Sequence, residues 1–186
     1  MNVMFTEYIE TDRFVLRVPR SADGAAVYDA VADVIAQLRA WPESWPWAVQ
    51  EQSVAVSTAH CERARENFER GQKWNLFVFD RETKQVVGNA EFHTIHLTSN
   101  MWELGVWTRP SWQHRGVMSE ALTAVLAWMK SNNPSIEVVI KIDATNTVSW
   151  QLAEKVGFKS VGVYQIDGFT IMMYSSNPQG VDHVGS

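Results

Sequence analysis

The sequence predicts a mixed α/β (α+β) domain in which a central sheet of about seven strands is flanked by helices. Two observations support this fold class. Runs with strand-like alternation and runs with helical spacing follow each other in the order βααβββαβαββ. No internal repeat or linker interrupts the 186 residues, a length that can bury one sizeable core. We therefore expect one domain over residues 1–176 and a loose polar tail over residues 177–186.

The first half of the chain predicts one strand and two helices. The run RFVLRVP at 13–19 alternates apolar and polar residues and ends at a proline, which is typical of a strand. Apolar residues at helical spacing then run to Leu38, with Ser21 as the candidate cap. A second helix is predicted over 53–70, where Gly71 would end it.

The second half predicts an antiparallel meander, a helix, a buried strand, a short helix and a closing hairpin. The meander is predicted because turn residues separate three β-rich runs. The long helix would begin near Gly116. The other predicted elements are the meander strands 74–80, 85–97 and 101–108, the buried strand 137–145, the short helix 146–155, and the hairpin strands 159–166 and 169–176 around Asp167 and Gly168.

Composition and charge exclude several classes of protein. Sixteen basic against 21 acidic side chains give a net charge of -5, which argues against a general nucleic-acid binder. No apolar run is long enough to span a membrane, and the first residues lack the pattern of a signal peptide. The single cysteine, Cys61, encodes neither a disulfide framework nor a Cys-based metal site, which fits a reducing compartment. We expect a cytoplasmic protein.

The stretch QHRGVMSEAL at 113–122 enters a helix through a glycine, where a capping side chain would be usual. Helix N-termini attract anions, and Gly116 leaves the backbone open to a phosphate. His114 and Arg115 would add donors, and Ser119 would add a hydroxyl. The stretch therefore indicates a pyrophosphate cradle, although on its own it fits a tight turn before a helix better. Neither the ATP-type nor the dinucleotide glycine fingerprint is present.

A second stretch, DATNTVSWQLAEKVGF at 143–158, changes that balance. Asn146 is placed to cap a short helix, and Gly157 to end it. The motifs are Gln113-x-x-Gly116-x-Met118, Asn146-x-x-Ser149 and Glu154-Lys155-Val156-Gly157-Phe158. In this order and spacing they resemble the GNAT superfamily of acetyl-CoA-dependent N-acetyltransferases, and the resemblance extends from Thr11 to about Ser175. The predicted strand order is also the order of that family.

Two further stretches resemble the RimJ/RimL branch of this superfamily, which acetylates N-terminal amino groups of ribosomal proteins. They are LRAWPESWPWA and WELGVWTRPSWQHRGVMSEAL. The same features occur in relatives that act on small amines and other peptides. The resemblance implies a single acetyltransferase domain that uses acetyl-CoA as co-substrate and transfers the acetyl group directly, within a ternary complex.

The resemblance also implies a set of coenzyme-binding residues. Backbone amides of the first motif would hold the pyrophosphate, and the strand before it would splay from its neighbour so that its backbone pairs with pantetheine. Asn146 and Ser149 would lie against the pantetheine arm, with Ser149 facing the thioester sulfur. Met118 stands where the family usually has Gly or Ala, and we expect its side chain to turn away from the ligand. The full set is Val106, Trp107, Gln113, His114, Arg115, Gly116, Val117, Met118, Ser119, Asn146 and Ser149.

Catalysis requires a group that accepts a proton from the amine and a group that protonates the leaving thiolate. Glu103, Asn146 and Ser149 are the predicted catalytic residues. Glu103 would act as base directly or through a water, although a surface carboxylate is an equal alternative. Asp167 is a second candidate base, better explained as a turn residue. Tyr164 and Tyr174 are candidate acids, although buried tyrosines that only pack are commoner.

A covalent acetyl-cysteine intermediate is not expected, because Cys61 lies in a predicted helix far from the motifs. No metal is expected either, because His93 and His96 would face opposite sides of one strand. Neither nucleic acid nor a membrane is an expected partner, and a homodimer is possible.

The acceptor predicted by the resemblance is the N-terminal α-amino group of a protein or peptide. A small-molecule amine such as a polyamine, antibiotic or amino acid is the alternative, and a coenzyme A-binding module without catalysis is the alternative of another class. Trp41, Trp45 and Trp47 are candidates to wall the acceptor groove or to pack in the core.

Overall fold

A computed structural model describes residues 5–41, 45–95 and 100–177, and these form one eight-stranded sheet with four α-helices. The strands are β1 (Tyr8–Glu10), β2 (Phe14–Arg17), β3 (Lys73–Asp80), β4 (Val86–Thr94), β5 (Met101–Thr108), β6 (Glu137–Asp143), β7 (Lys159–Ile166) and β8 (Phe169–Ser175). The helices are α1 (Gly24–Leu38), α2 (Val54–Glu69), α3 (Val117–Asn132) and α4 (Thr147–Lys155). Short 3-10 turns occupy Ser21–Asp23, Pro46–Val49 and Pro110–Trp112.

The predicted fold class and the order of its elements are confirmed, and the strand count is corrected from about seven to eight. The missed strand, β1, has three residues and pairs with β2 alone. Three residues are too short a run for alternation to stand out from chance. The predicted cap of the first helix is also wrong, because Ser21 lies in a 3-10 turn and Asp23 precedes α1.

The sheet has the order β1-β2-β3-β4-β5-β6-β8-β7, and its strands are antiparallel except for the central pair of β5 and β6. Parallel neighbours need a long crossover, and α3 provides it. The parallel pairing covers only three residue pairs, from Met101 with Glu137 to Glu103 with Val139. Beyond Glu103 the two strands no longer pair, although β5 stays paired with β4 as far as Thr108.

Alternation along the strands builds a core on each face of the sheet. Phe77 and Phe79 of β3 pack with buried residues of α1 and α2. Leu76 and Val78 of the same strand pack with buried residues of α3 and with Ala153 of α4. Because successive side chains of a strand point to opposite faces, the two helix pairs lie on opposite sides of the sheet.

Met118 occupies space that a glycine in β4 leaves free. Its side chain is buried, and its terminal methyl lies against the position that a Cβ of Gly88 would take. The same Cβ would also lie 2.7 Å from the carbonyl oxygen of Trp107. The long side chain at 118 therefore points into the core.

None of the helices in the described ranges is both long and apolar enough to cross a membrane. The domain bounds of 1–176 and the loose tail stay predictions, since residues 178–186 lie outside the described part of the chain.

The contact between Gly88 and Met118 leads to a stability prediction. Gly88→Ala should lower the free energy of unfolding by about 1–3 kcal/mol, because the added methyl overpacks the core. Met118→Ala should lower the free energy of unfolding by about 2–5 kcal/mol, because the truncated side chain leaves a cavity in the core. In the double variant the clash with Met118 disappears, so denaturant unfolding should show a smaller loss than the sum of the two single losses. Strictly additive losses would mean that the two side chains do not meet.

Candidate active site

A cleft of about 510 Å³ opens where β5 and β6 stop pairing. Leu104, Gly105 and Val106 line it from β5, and residues 140–143 line it from β6. Backbone groups on this edge of β5 have no strand partner beyond Glu103. Because unpaired backbone donors and acceptors are costly to bury, such a slot suits a ligand that can pair with them.

The first turn of α4 borders the cleft on the side of α3. Asn146 caps this helix, since its side-chain oxygen accepts a hydrogen bond from the backbone N–H of Ser149 at 3.3 Å. Both residues line the cleft, together with Leu122 of α3. The predicted cap is therefore present, and it places the Asn146 and Ser149 side chains beside Val106 in one cavity.

The loop before α3 has the backbone shape of an anion-binding nest. His114 and Gly116 both have left-handed backbones, with φ of +58° and +75°. Alternation of this kind turns successive N–H groups toward one point. The N–H groups of residues 114–119 have no acceptor among the described residues, and the last three lie at the positive end of the α3 dipole.

The loop side chains contribute in different ways. Gln113 donates to the carbonyl of Thr108 at 3.2 Å and to the side chain of Gln37 at 2.7 Å, which ties the loop to β5 and α1. The Arg115 guanidinium lies over the ring of Trp112. Val117 and Met118 are buried, whereas His114 and Arg115 are exposed and Ser119 is partly exposed. The loop does not line the cleft itself but lies at the N-terminus of the helix that borders it.

On the face of α1 and α2, two carboxylates in the cleft are each held by a lysine. Lys141 donates to Oε2 of Glu103 at 2.7 Å. Lys73 contacts Oε1 of Glu91 at 3.0 Å. His93 lies directly across from Glu103 on the neighbouring strand, and its buried Nδ1 has no partner among the described residues. All five side chains line the cleft.

Glu91 is further fixed by a chain of buried amides. Asn75 donates to Oε2 of Glu91 at 2.7 Å and lies 3.2 Å from Nε2 of His60, while Asn89 donates to Asn75 at 2.5 Å. Desolvation by burial lowers the pKa of His60 from its ordinary value. Both carboxylate oxygens of Glu91 are thus occupied, whereas Oε1 of Glu103 has no hydrogen-bond partner among the described residues.

The residues predicted for this site did not include Glu91, Lys73 or Lys141, and His93 was considered only as a metal ligand. One signal was available. Asn89, Glu91 and His93 alternate with apolar residues in the middle strand of the predicted meander, so they had to share a face.

Two tryptophans form the wall of the cleft beside β5. Trp45 and Trp47 pack edge to face with their ring centroids 6.2 Å apart. The ring of Trp45 lies over Gly105, where a Cβ would be 3.1 Å from its nearest carbon. Trp41 is not among the lining residues, so two of the three candidate tryptophans lie at the site.

Several predicted candidates are not among the residues that line the cleft. Trp107 is buried against Phe77 on the α1 and α2 face, so only its backbone can serve a ligand in the slot. Asp167 is exposed in the tight turn of the β7–β8 hairpin, with φ of +50°. Tyr164 packs over Gly162. Tyr174 is buried and bonded to Glu154, and burial with that carboxylate raises its pKa.

The described residues include no cluster of three or more His, Cys, Asp or Glu side chains that could hold a metal. His96, the partner considered for His93, lies outside the described ranges.

A slot between two separating parallel strands, with a nest-shaped loop at the start of the following helix, suits an extended ligand that carries phosphate. Residues 13–159 match the acetyltransferase (GNAT) domain family. The chain belongs to this family and is an acetyl-CoA-dependent acyltransferase.

Three similar proteins carry the name acetyltransferase, and two of them are solved structures with the same fold. The [ribosomal protein uS5]-alanine N-acetyltransferase of Escherichia coli K12 is 25% identical over 158 residues, covering 83% of this chain and 79% of that protein. The ribosomal L7/L12 α-N-protein acetyltransferase RimL in complex with coenzyme A has a TM-score of 0.77 at 22% identity and covers 91% and 97% of the two chains. The microcin C7 self-immunity acetyltransferase MccE in complex with acetyl-CoA and AMP has a TM-score of 0.80 at 19% identity, covering 93% and 97%.

The environment of Cys61 predicts an unreactive thiol. Burial raises its pKa to about 11, and the thiolate is the reactive form. Iodoacetamide near neutral pH should label unfolded but not native protein, as read by mass spectrometry. Because the folded state keeps the proton more tightly, the free energy of unfolding should fall as the pH rises from about 9 toward 11.

Cys61 does not line the cleft, so the Cys61→Ala variant should turn over at the wild-type rate if it folds. Native labelling as fast as in denaturant, or loss of turnover in a folded variant, would contradict the burial of this thiol and its lack of a catalytic role.

Proposed function

We propose that the protein transfers the acetyl group of acetyl-CoA directly to the N-terminal α-amino group of a protein or peptide. One observation carries the proposal. The cleft extends through the gap in the sheet, so that Asn146 and Ser149 on one side and Glu103 on the other border the same space. An acyl donor and an amine that enter from opposite faces would meet there, which is the geometry that direct transfer requires.

In this proposal the coenzyme lies between the loop and the slot. Backbone N–H groups from His114 to Ser119 receive the diphosphate, while Gln113, whose own N–H donates to Pro110, holds the loop in place through its side chain. The free edge of β5 at Val106 and Trp107 pairs with pantetheine. Asn146 orients the arm while it caps α4. Ser149 then lies near the thioester sulfur and can protonate the thiolate as it leaves.

The reaction needs a proton acceptor on the Glu103 side of the sheet and a proton donor on the Ser149 side. The acceptor ammonium gives up one proton on the Glu103 side and attacks the thioester carbonyl carbon. As the carbon–sulfur bond breaks, the new amide nitrogen loses its second proton, and the thiolate receives one through Ser149. Glu103 accepts the first proton directly or through a water, with Oε1 as the oxygen that Lys141 leaves free. Asp167 is exposed and is not among the residues that line the cleft, so Glu103 is preferred to it.

The acceptor side fits an amine at the end of a longer molecule. Ile166 and Phe169 flank the hairpin turn, line the cleft and remain 45% and 38% exposed. Trp45 and Trp47 provide the other wall. An opening bordered by exposed apolar groups lets the rest of a polypeptide stay outside while its first residue enters. The ribosomal-protein acetyltransferases among the relatives support this choice of acceptor, at modest identity. The cytoplasmic location and the homodimer remain predictions.

The acceptor proposal is tested by thiol release from acetyl-CoA with a panel of amines. Peptides that begin with Ser, Ala or Met should release coenzyme A, and the same peptides with a blocked N-terminus should not. Polyamines, aminoglycosides and single amino acids complete the panel. Release with small amines alone would contradict the peptide proposal and favour a small-molecule acceptor. If the protein binds acetyl-CoA tightly but releases no thiol with any amine of the panel, a coenzyme A-binding module without catalysis is favoured.

The roles of Asn146 and Ser149 can be separated from helix capping. Asn146→Ala and Ser149→Ala should each lower kcat by about tenfold or more, because each removes a group that contacts the donor. Asn146→Asp keeps an oxygen that can cap α4 but loses the amide donor. If Asn146→Asp restores full turnover, Asn146 only caps the helix. Unchanged kcat in Ser149→Ala would remove Ser149 from the chemistry.

A further inference from the structure

Arg13 contacts the loop before α3 from a distant part of the chain. It directly precedes β2, and its Nη1 donates to the carbonyl of Arg115 at 3.0 Å. Its Nε donates to Glu120 at 2.7 Å, and its backbone N–H donates to the same carboxylate at 3.1 Å. Thr11 adds a third donor to Glu120 at 2.6 Å. Four hydrogen bonds thus join the start of β2 to the loop and to the first turn of α3.

The bond to Arg115 acts on the backbone shape of the nest. Arg115 lies between His114 and Gly116, the two residues with left-handed backbones. Left-handed conformation is unfavourable for His114, which has a side chain, and persists only where surrounding contacts fix it. The guanidinium of Arg13 holds the carbonyl between these two residues and so helps to keep the successive N–H groups turned to one side.

The remaining nitrogen of Arg13 faces the same place. Nη2 has no hydrogen-bond partner among the described residues and lies 3.6 Å from the position that a Cβ of Gly116 would take. The Arg13 side chain as a whole remains 47% exposed. A free guanidinium N–H beside a nest of backbone donors matches the needs of a phosphate oxygen.

The carboxylate of Glu120 makes the positive charge of Arg13 necessary if an anion is to bind at this helix terminus. A carboxylate in the first turn of a helix suits the helix dipole but opposes a second anion at the same terminus. Burial alone would raise the pKa of Glu120, yet the hydrogen bonds from Thr11 and Arg13 outweigh it and hold the pKa below its usual value. Glu120 is therefore charged at neutral pH, and Arg13 supplies the compensating charge next to the loop.

We propose that Arg13 is a coenzyme-binding residue that also positions the diphosphate loop. It holds the carbonyl of Arg115, neutralises Glu120 and donates from Nη2 to the coenzyme diphosphate. The inference rests on the proposed placement of the diphosphate at residues 113–119. The group that Arg13 recognises is a diphosphate ester, and this recognition does not depend on which amine is acetylated.

The test compares binding of coenzyme A, dephospho-coenzyme A and pantetheine by calorimetry in four proteins: wild type, Arg13→Ala, Arg13→Lys and Arg65→Ala. Arg65 is the matched control. It too forms an exposed ion-paired contact, to Glu7 at 2.7 Å and Glu69 at 3.2 Å, and its side chain is 34% exposed. Both alanine variants lose the same charge and should lose similar thermal stability.

Arg13→Ala should raise the Kd of coenzyme A and of dephospho-coenzyme A alike, by about tenfold or more relative to Arg65→Ala. Pantetheine, which lacks the diphosphate, should bind both variants equally. Arg13→Lys should recover little, because one ammonium cannot reach Glu120, Arg115 and a phosphate together. In kinetics, the KM for acetyl-CoA should rise while the KM for the amine stays constant.

Other outcomes overturn the inference in distinct ways. If Arg13→Ala lost affinity for coenzyme A but not for dephospho-coenzyme A, Arg13 would contact the 3′-phosphate and not the diphosphate. If Arg13→Lys bound coenzyme A as tightly as wild type, Arg13 would contribute only its charge and would not position the loop. Equal affinities in Arg13→Ala and Arg65→Ala would remove Arg13 from the site. Gly116→Glu separates the two proposals: if it abolishes coenzyme binding while Arg13→Ala does not, only the Arg13 inference fails. If neither changes binding, the loop assignment fails too.

Discussion

The separation of β5 from β6 after three residue pairs is the constraint on which the site depends. A continuous ladder would satisfy the backbone of both strands and close the sheet to ligands. Because the pairing stops at Glu103, one edge of β5 keeps its donors and acceptors, and the two faces of the sheet connect through the gap. Fixed partners hold the open region: β4 pairs with β5 as far as Thr108, and β8 pairs with β6 as far as Asp143.

Packing around the gap uses glycines where large side chains approach the sheet. Gly105 lets the Trp45 ring lie on β5, and Gly88 makes room for Met118 under the start of α3. Met118 stands where the family resemblance leads us to expect Gly or Ala, and Gly88 allows its side chain to pack inside the core. The volume of the methionine side chain is taken up where Gly88 of β4 has no side chain.

The sequence predicted the parts of the site that near neighbours determine. Asn146 as a cap and Gly116 as the residue at which a helix begins follow from residues within one turn of them. Contacts between distant segments were not predictable, since periodicity reveals which face a side chain occupies but not its register with another strand. Lys141 and Glu103 are 38 positions apart, and Arg13 and Glu120 are 107 apart. The three-residue β1 lacked any periodic signal at all.

If the amine enters on the Glu103 side, as proposed, the pairing of each carboxylate with a lysine limits which amines this side can accept. Glu91 is held through both oxygens by Lys73 and Asn75, so an incoming ammonium gains little from it. Glu103 keeps one oxygen free, and a cation that binds there lies near the ammonium of Lys141. Like charges at close range repel, which favours early loss of the acceptor's proton and disfavours acceptors that carry a second positive charge near the first. The proposed acceptor, an α-amino group, meets that condition better than a polyamine does when an uncharged side chain follows it.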